Sequence, residues 1–249
     1  MIIDSHCHLN YSKEGPSLEE IINNAKKNDV GLMLNIATKS SEFDQLIKTS
    51  KLYDEIYFTL GIHPHEANEM SSEIIEKIYN NENNNKLIGI GETGLDFYYN
   101  NSKKNVQISS FEKQIEISQN TSIPLIVHMR NAEEDTLRII RRKLKEKTFN
   151  GVIHCFTGTQ KFADEAIELG FYISASGVIT FKNSSDLRDI FKSIPDNRIL
   201  AETDSPYLSP EPLRGKHNQP SHIIHTIKKL AEVRNTSYDQ IIKLTKSNF

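Results

Sequence analysis

Two histidines stand two positions apart at the start of the chain, in the run Ile2-Ile3-Asp4-Ser5-His6-Cys7-His8. The β-prone residues before them predict a short strand, and side chains at i and i+2 of a strand point to the same face. Two imidazoles directed at one point can supply half of a metal site. The pair alone is weak evidence, so its meaning depends on where the other candidate ligands fall.

Most of the remaining candidate ligands also stand where an apolar, strand-like run ends. Functional residues of a parallel βα barrel gather at the C-terminal ends of its strands, so we expect these side chains to converge. Six of the nine histidines fall at such ends, which a random scatter would not produce. The candidates are His6 and His8 for the first run, His63 and His65 for the third, Glu92 for the fourth, His128 for the fifth, His154 for the sixth, and Glu202 and Asp204 for the eighth.

Imidazole and carboxylate ligands in this mixture suit Zn, Mn, Fe or Mg, and carboxylate-rich sites favour the harder ions. The candidates outnumber the ligands of one tetrahedral ion, so we expect two divalent ions that share a bridging carboxylate. Glu92, on the strand opposite the first, is the best bridge. Asp204 can bind metal and accept a proton from the attacking water, because a metal lowers the pKa of that water toward neutrality.

Strand-like and helix-like runs alternate along the 249 residues, and apolar residues such as Ile108, Phe111 and Ile115 have helical spacing. Eight strands, each followed by a helix, predict an α/β fold, a single-domain (β/α)8 barrel over residues 1–249 with its metal site at the C-terminal strand ends. The predicted strands are Ile2–His6, Val30–Ile36, Ile56–Gly61, Leu87–Glu92, Leu125–His128, Val152–His154, Tyr172–Ser174 and Ile199–Glu202.

The composition, with 37% hydrophobic and 25% charged residues, is that of a globular protein. A net charge of −3 gives no global attraction to nucleic acid, so a polyanion must be held by a local patch or by metal ions. Two cysteines, Cys7 and Cys155, are too few for a disulfide framework and predict a cytoplasmic protein with reduced thiols. No leader pattern and no apolar run of about 18 residues occurs, so we expect neither export nor a membrane span.

Five segments combine the candidate ligands with glycine, proline and hydroxyl residues. They are Asp4-Ser5-His6-Cys7-His8-Leu9, Gly91-Glu92-Thr93-Gly94-Leu95-Asp96, Val127-His128-Met129-Arg130, His154-Cys155-Phe156-Thr157-Gly158 and Glu202-Thr203-Asp204-Ser205-Pro206-Tyr207-Leu208. Over essentially the whole chain, and in this order, they resemble the TatD family of metal-dependent hydrolases. The resemblance implies a barrel of the amidohydrolase superfamily and a 3′→5′ exodeoxyribonuclease that acts on single strands.

The resemblance also implies a ligand set for two divalent ions, with Mg²⁺ expected ahead of Mn²⁺ or Zn²⁺. His6, His8 and Asp204 would hold one ion, His128 and His154 would hold the other, and Glu92 would contact both. We expect DNA, mainly single-stranded, as the substrate, and a monomer with no obligate protein partner.

Further roles follow from the same resemblance. Asp204 would be the general base, and His63, in a Gly-Ile-His-Pro motif, would lie near the scissile phosphate. Arg130 and Arg214 are candidate contacts to substrate phosphates, because a guanidinium forks onto phosphate oxygens. A structural ion pair is the alternative for Arg130.

Two segments depart from the family's pattern. Asn10 stands where the opening motif often carries aspartate, at a position that we expect to be structural. In the last loop, His217 and Gln219 replace residues that are often basic and acidic, respectively. Whether the last loop binds substrate as it does in the family therefore stays open.

Other polar residues near the motifs are predicted to have structural roles. We expect His65 to be a loop residue and Asp96 to brace the loop that follows it. Glu202 is expected to orient a ligand or a helix, with direct contact to substrate or metal as its alternative. Tyr98 and Tyr99 could stack on nucleobases, but we expect them to pack beneath a loop.

Two other functions stay open. Some proteins similar to the TatD family remove D-amino acids from transfer RNA, and other amidohydrolases cleave ester or amide bonds. Glu92 stands where a carbamylated bridge would need lysine, which excludes that chemistry but not the deacylase. A binding or scaffold protein with a silent site is the third possibility, and the presence of all six candidate metal ligands argues against it.

Overall fold

The computed structural model describes residues 1–9 and 15–249, and Asn10 lies outside the described residues. The strands are β1 (Ile2–Cys7), β2 (Val30–Asn35), β3 (Ile56–Leu60), β4 (Leu87–Asp96), β5 (Leu125–Arg130), β6 (Gly151–Ile153), β7 (Tyr172–Ala175) and β8 (Ile199–Ala201). They form one eight-stranded sheet in chain order, and the pairs β1–β2, β3–β4, β4–β5, β5–β6 and β7–β8 are parallel. The predicted (β/α)8 fold class is therefore confirmed.

Helices alternate with the strands as the apolar spacing predicts. They are α1 (Leu18–Lys27), α2 (Phe43–Leu52), α3 (Ser72–Tyr79), α4 (Lys104–Thr121), α5 (Glu133–Leu144), α6 (Gln160–Glu168), α7 (Ser185–Ser193), α8 (Ile223–Val233) and α9 (Tyr238–Asn248). Ser17 and Glu20 form a capping box at the start of α1, which satisfies backbone N–H groups that the helix leaves without a partner. In the described part of the chain, no helix has the length and apolar character needed to cross a membrane.

The chain divides into two compact units. The first unit comprises Met1–Asn35, His154–Ala163 and Tyr172–Phe249, and the second comprises Ile36–Ile153 and Asp164–Phe171. The first therefore contains β1, β2, β7 and β8, and the second contains β3 to β6. The prediction of one domain over residues 1–249 stays a prediction.

In the first unit, the end of β1 is joined to the segment that follows β8. Cys7 and Ser205 form a parallel β-bridge. The backbone N–H of Asp204 donates to the carbonyl of His6 at 2.9 Å, and that of His8 donates to the carbonyl of Ser205 at 2.7 Å. Main-chain hydrogen bonds thus set the positions of three candidate ligands before any side-chain contact is considered.

In the second unit, β4 is longer than the sequence predicts. The expected end is Glu92, but pairing with β5 continues to Asp96, which lies opposite Arg130. Gly94 makes this possible, since it has φ of 128° and a Cβ there would lie 2.1 Å from the carbonyl oxygen of His128. Only glycine allows the two backbones to approach this closely. Of the four added residue pairs, Gly94 with His128 and Asp96 with Arg130 carry side chains of the candidate site.

Buried aromatic residues fill the core of each unit. In the first, Phe156 stacks on Phe162 with 5.9 Å between ring centroids. In the second, Phe111 and Ile115 on α4 are fully buried, as their helical spacing predicts, whereas Ile108 is half-buried. This packing anchors the strand ends that present the polar residues.

Candidate metal centre

Three candidate ligand atoms converge in the first unit. The Nε2 atoms of His6 and His8 lie 3.3 Å apart. Asp204 Oδ1 lies 3.6 Å from His6 Nε2 and 3.4 Å from His8 Nε2. Two imidazole nitrogens and a carboxylate oxygen that face one another at these distances form a donor set that a divalent cation accepts. The residues present therefore fit the ion that the sequence assigns to them.

Asp204 is held in an uncommon backbone conformation at this cluster. Its φ of 54° is in the left-handed region, which residues with a side chain seldom adopt and which is concentrated at functional sites. Burial raises the pKa of the carboxyl, but the hydrogen bond that it accepts from His8 and the imidazoles of His6 and His154 hold that pKa below its usual value. Asp204 is thus ionised at neutral pH, as both a metal ligand and a proton acceptor must be.

His154 and Glu202 extend the cluster of the first unit. The ring of His154 stacks on that of His6, with 3.9 Å between centroids and 7° between planes. Glu202 Oε1 lies 3.4 Å from His154 Nδ1 and accepts the backbone N–H of Cys155 at 2.7 Å. Such contacts fit the predicted orienting role of Glu202. The assignment of His154 to the same ion as His128 stays a prediction.

Asp4, which the sequence analysis does not single out, supports the same region. It is fully buried and accepts hydrogen bonds from Thr203 N at 2.9 Å and Thr203 Oγ1 at 2.6 Å. Burial raises the pKa of Asp4 to about 8, although the hydrogen bonds from Thr203 act in the opposite direction. The side chain ties β1 to the residue just before Asp204, so its role is to position the ligands. Its place in the first motif, two residues before His6, is the signal that could have found it.

A second cluster of candidate ligands lies in the second unit around Glu92, which is 3% exposed. Glu92 Oε1 is 3.0 Å from His128 Nδ1 and 3.4 Å from His63 Nε2. The structure therefore brings together three of the residues that the sequence assigns to metal binding and to catalysis. Which of the two imidazoles can offer a lone pair to a metal depends on where each ring carries its proton.

The hydrogen bonds of His63 identify its tautomer. Its Nδ1 accepts the backbone N–H of His65 at 3.1 Å. Burial lowers the pKa of His63 to about 4, against the opposing effect of Glu92, so the ring is neutral at pH 7. A neutral imidazole that accepts at Nδ1 carries its proton on Nε2, so His63 donates toward Glu92. This geometry disfavours His63 as a metal ligand and leaves it a hydrogen-bond donor, in keeping with the predicted place near the substrate.

His128 is oriented by a second carboxylate, that of Asp96. Asp96 Oδ2 lies 3.2 Å from His128 Nε2 and 3.0 Å from His65 Nε2. Burial opposes ionisation, but hydrogen bonds from His128, from the backbone of Tyr99 and from His65 hold the pKa of Asp96 well below its usual range. An ionised carboxylate can only accept, so Asp96 favours a proton on Nε2 of His128, and this tautomer leaves Nδ1, which faces Glu92, for a metal ion. This is the arrangement by which an outer carboxylate orients a metal-binding histidine.

Asp96 has two roles, of which the sequence predicts one. The predicted bracing of the loop is confirmed, because Oδ1 accepts the backbone N–H groups of Tyr98 at 3.0 Å and Tyr99 at 2.9 Å. The contacts of Oδ2 with two histidines are not predicted, and His65 is more than the loop residue expected. A predicted β4 that ended at Asp96 instead of Glu92 would have indicated these contacts. The alternation of side chains along a strand places Asp96 on the same face as Glu92, four residues earlier.

Replacement of Asp96 by asparagine is expected to weaken metal binding by about 10- to 100-fold, because a neutral amide no longer holds the proton of His128 on Nε2. Competition with a fluorescent chelator measures the affinity. Asp54→Asn, at an exposed carboxylate of the same unit, is the matched control and should bind metal like the wild type. An unchanged affinity in Asp96→Asn would show that the hydrogen bond has no part in metal binding.

The two candidate phosphate-binding arginines stack on aromatic rings. The guanidinium of Arg214 lies 3.7 Å from the ring centroid of Phe181, and that of Arg130 lies over Tyr98 and Tyr99. Among residues 1–9 and 15–249, no ion pair joins the Arg130 guanidinium to a carboxylate, and the alternative of a structural ion pair stays a prediction. The contacts of both arginines with phosphate stay predictions.

Comparison with known proteins agrees with these features. The family model described as TatD related DNase matches residues 3–249. A protein of Buchnera aphidicola from Baizongia pistaciae, named an uncharacterized metal-dependent hydrolase, is 40% identical over 251 residues, which are 100% of this chain and 94% of that protein. A protein of Klebsiella pneumoniae named 3'-5' ssDNA/RNA exonuclease TatD is 30% identical over 238 residues, covering 94% of this chain and 90% of that protein.

Among solved structures, the TatD homologue YJJV of Escherichia coli K12 superimposes with a TM-score of 0.92 at 25% sequence identity. The match covers 99% of this chain and 95% of the homologue. The family model and the relative named a metal-dependent hydrolase are consistent with the clusters of histidine and carboxylate side chains described above. This chain therefore belongs to the TatD family of metal-dependent hydrolases.

Proposed function

We propose that this protein is a 3′→5′ exonuclease that hydrolyses phosphodiester bonds in single-stranded DNA with the help of two divalent ions. The observation that carries the proposal is that each compact unit has its own set of converging candidate ligands, His6, His8 and Asp204 in one and Glu92 and His128 in the other. The name of the Klebsiella relative, a 3'-5' ssDNA/RNA exonuclease, supports the choice of substrate.

The ligand sets match the chemistry that phosphodiester hydrolysis requires. Divalent ions, Mg²⁺ ahead of Mn²⁺ or Zn²⁺, supply a nucleophile at neutral pH by lowering the pKa of water, and they offset charge on phosphate oxygens. His6, His8 and Asp204 would bind one ion, and His128 and Glu92 would bind the other. By family resemblance, His154 would complete the second set and Glu92 would contact both ions.

The protein's own groups handle the protons. Asp204, ionised because its neighbours lower its pKa, accepts the proton of the attacking water. His63, neutral and protonated on Nε2, donates a hydrogen bond to an oxygen of the scissile phosphate once substrate enters. Asp96 keeps His128 in the tautomer that binds metal through Nδ1.

The charge of the protein affects how it meets its substrate. With a net charge of −3, the protein attracts DNA only locally, through the metal ions and through Arg130 and Arg214. Binding should therefore be weak, because cationic side chains neutralise few phosphates. The contacts that do form are electrostatic, so binding should weaken further as salt is added. Action as a monomer in the cytoplasm is part of this proposal.

The test is digestion of a 5′-labelled single-stranded oligonucleotide with Mg²⁺ or Mn²⁺, with and without EDTA. We expect stepwise shortening from the 3′ end that stops with EDTA. A metal-loaded protein that leaves DNA intact would overturn the proposal, and esters of D-aminoacyl-tRNA would be the next substrate to test. The same oligonucleotide in its RNA form shows whether the 2′-hydroxyl is tolerated.

A further inference from the structure

An exposed aromatic and cationic surface lies where β4 and β5 end, formed by Tyr98, Tyr99 and Arg130 and called here the tyrosine platform. Tyr98 is 57% exposed and Tyr99 is 54% exposed, so the expectation that they pack beneath a loop is wrong. Their ring centroids are 4.9 Å apart and the rings are perpendicular. The guanidinium carbon of Arg130 lies 4.2 Å from the Tyr98 centroid and 4.7 Å from the Tyr99 centroid.

The backbone beneath the platform is held in place by hydrogen bonds. The N–H groups of Tyr98 and Tyr99 both donate to Asp96 Oδ1. The N–H of Phe97 donates to the carbonyl of Arg130 at 2.9 Å, which fastens the loop to the end of β5. A surface ordered before binding loses little conformational freedom when a ligand arrives, which favours a role in recognition.

The platform adjoins the ligand cluster of the second unit. Asp96, which holds the two tyrosine N–H groups through Oδ1, contacts the imidazole of His128 through Oδ2. The ring of Tyr99 lies 5.5 Å from that of His65, which in turn lies 6.4 Å from that of His128. A ligand on the platform would therefore have its neighbouring groups close to the metal ligands.

The chemistry of the platform selects its ligand. Two large exposed aromatic rings offer surface for a planar apolar group, and Arg130 adds a positive charge that has no carboxylate partner within 4.0 Å among the described residues. A nucleotide has both matching parts, since its base stacks on aromatic side chains and its phosphate binds a guanidinium. Stacking tolerates every base, because each has a π-face.

We propose that the tyrosine platform binds the nucleobase next to the scissile phosphate at the 3′ end of a single strand, while Arg130 contacts an adjacent phosphate. The inference rests on the proposed function and deepens it, since it assigns a base-binding surface to the same site. It predicts an enzyme that needs a base at the 3′ end but does not discriminate among bases.

The test compares two single-stranded oligonucleotides, one complete and one with abasic residues at its 3′ end. For the wild type, the KM of the complete strand should be about 5- to 150-fold lower, which is the range for stacking of one base. In Tyr98→Ala/Tyr99→Ala, the KM for the complete strand should rise to that for the abasic strand, with kcat within about twofold, because no metal ligand is removed.

Tyr57→Ala is the matched control. Tyr57 also has a cation over its ring, Lys86 at 4.9 Å, but Lys86 stands directly before β4, at the opposite end of that strand from the platform. This variant should keep the wild-type preference for the complete strand. An equal rise in KM for both oligonucleotides in the double variant would show that the platform is structural and would overturn the inference.

Binding measured without hydrolysis separates this inference from the proposed function. Fluorescence anisotropy of the two labelled oligonucleotides in EDTA reports base recognition whether or not the strand is cleaved. A wild-type preference for the complete strand that disappears in the double variant supports the platform even if no cleavage occurs. Equal wild-type affinity for both strands overturns it even if the enzyme proves to be a nuclease.

Discussion

Replacement of Asp204 by asparagine is expected to lower kcat by about 10²- to 10⁴-fold, the range for loss of a general base. The amide has nearly the same shape as the carboxylate, but it has no negative charge and accepts no proton. Asp204 Oδ1 also lies within 3.6 Å of the Nε2 atoms of both histidines of the first cluster, so an ion held there would lose its anionic ligand. Single-turnover kinetics on a labelled oligonucleotide at saturating Mn²⁺ measures the effect.

The control for this variant is Asp186→Asn, at an exposed carboxylate near the start of α7 in the same unit. It should keep wild-type kcat. Circular dichroism and the metal content of Asp204→Asn distinguish loss of chemistry from loss of folding. A folded variant that retains wild-type kcat would exclude Asp204 as the base and return that role to another group of the first cluster.

Glu92→Gln is expected to lower metal affinity by more than the roughly 10- to 100-fold that loss of an outer partner costs, and to abolish hydrolysis with it. Glu92 Oε1 contacts both His63 and His128. Because Glu92 is buried, water does not compensate for the loss of its negative charge. Atomic absorption after dialysis against a fixed free concentration of Zn²⁺ or Mn²⁺ gives the number of ions per chain.

Glu73→Gln, at an exposed position on α3 in the same unit, is the matched control and should bind as many ions as the wild type. If Glu92 contacts both ions, the variant should lose more than one ion per chain. Loss of a single ion would confine Glu92 to the second cluster, and undiminished metal content would remove it from the ligand set.

Asp96 contacts both the ligand cluster of the second unit and the tyrosine platform. Oδ2 orients the imidazole of His128 and Oδ1 fastens the loop of Tyr98 and Tyr99. A change at this one carboxylate should therefore affect both metal affinity and the preference for a terminal base. The tyrosine variants should affect only the second of these, which gives the two sets of measurements separate outcomes.

The amino-acid sequence by itself determined the fold class and which polar residues stand at the strand ends. Eight apolar runs with helices between them predict the parallel sheet, and all eight strands are present with small shifts at their ends. Alternation along a strand is a local rule, so the pair His6 and His8 could be placed on one face without knowledge of any other element. The structure brings Asp204 within 3.6 Å of these two histidines, and their joint role as metal ligands stays a prediction.

Only the tertiary structure decided how the second cluster is organised. The end of β4 depends on pairing with β5, about 35 residues later, and a glycine-rich stretch reads locally as a turn. The proton positions of His63 and His128 depend on partners from other segments, His65 N and Asp96. No local periodicity contains that information, because a tautomer is set by the group that faces each ring nitrogen.

The exposure of Tyr98 and Tyr99 was likewise decided by the fold. An aromatic pair after a strand reads as core from composition alone, because burial of large rings is the main favourable contribution to folding. The loop is held in this exposed position by the carboxylate of Asp96, which accepts both backbone N–H groups, and by the contact of Arg130 with the two rings. Sequence thus determined which residues reach the strand ends, and the packing of β4 against β5 decided which of them touch and which remain exposed.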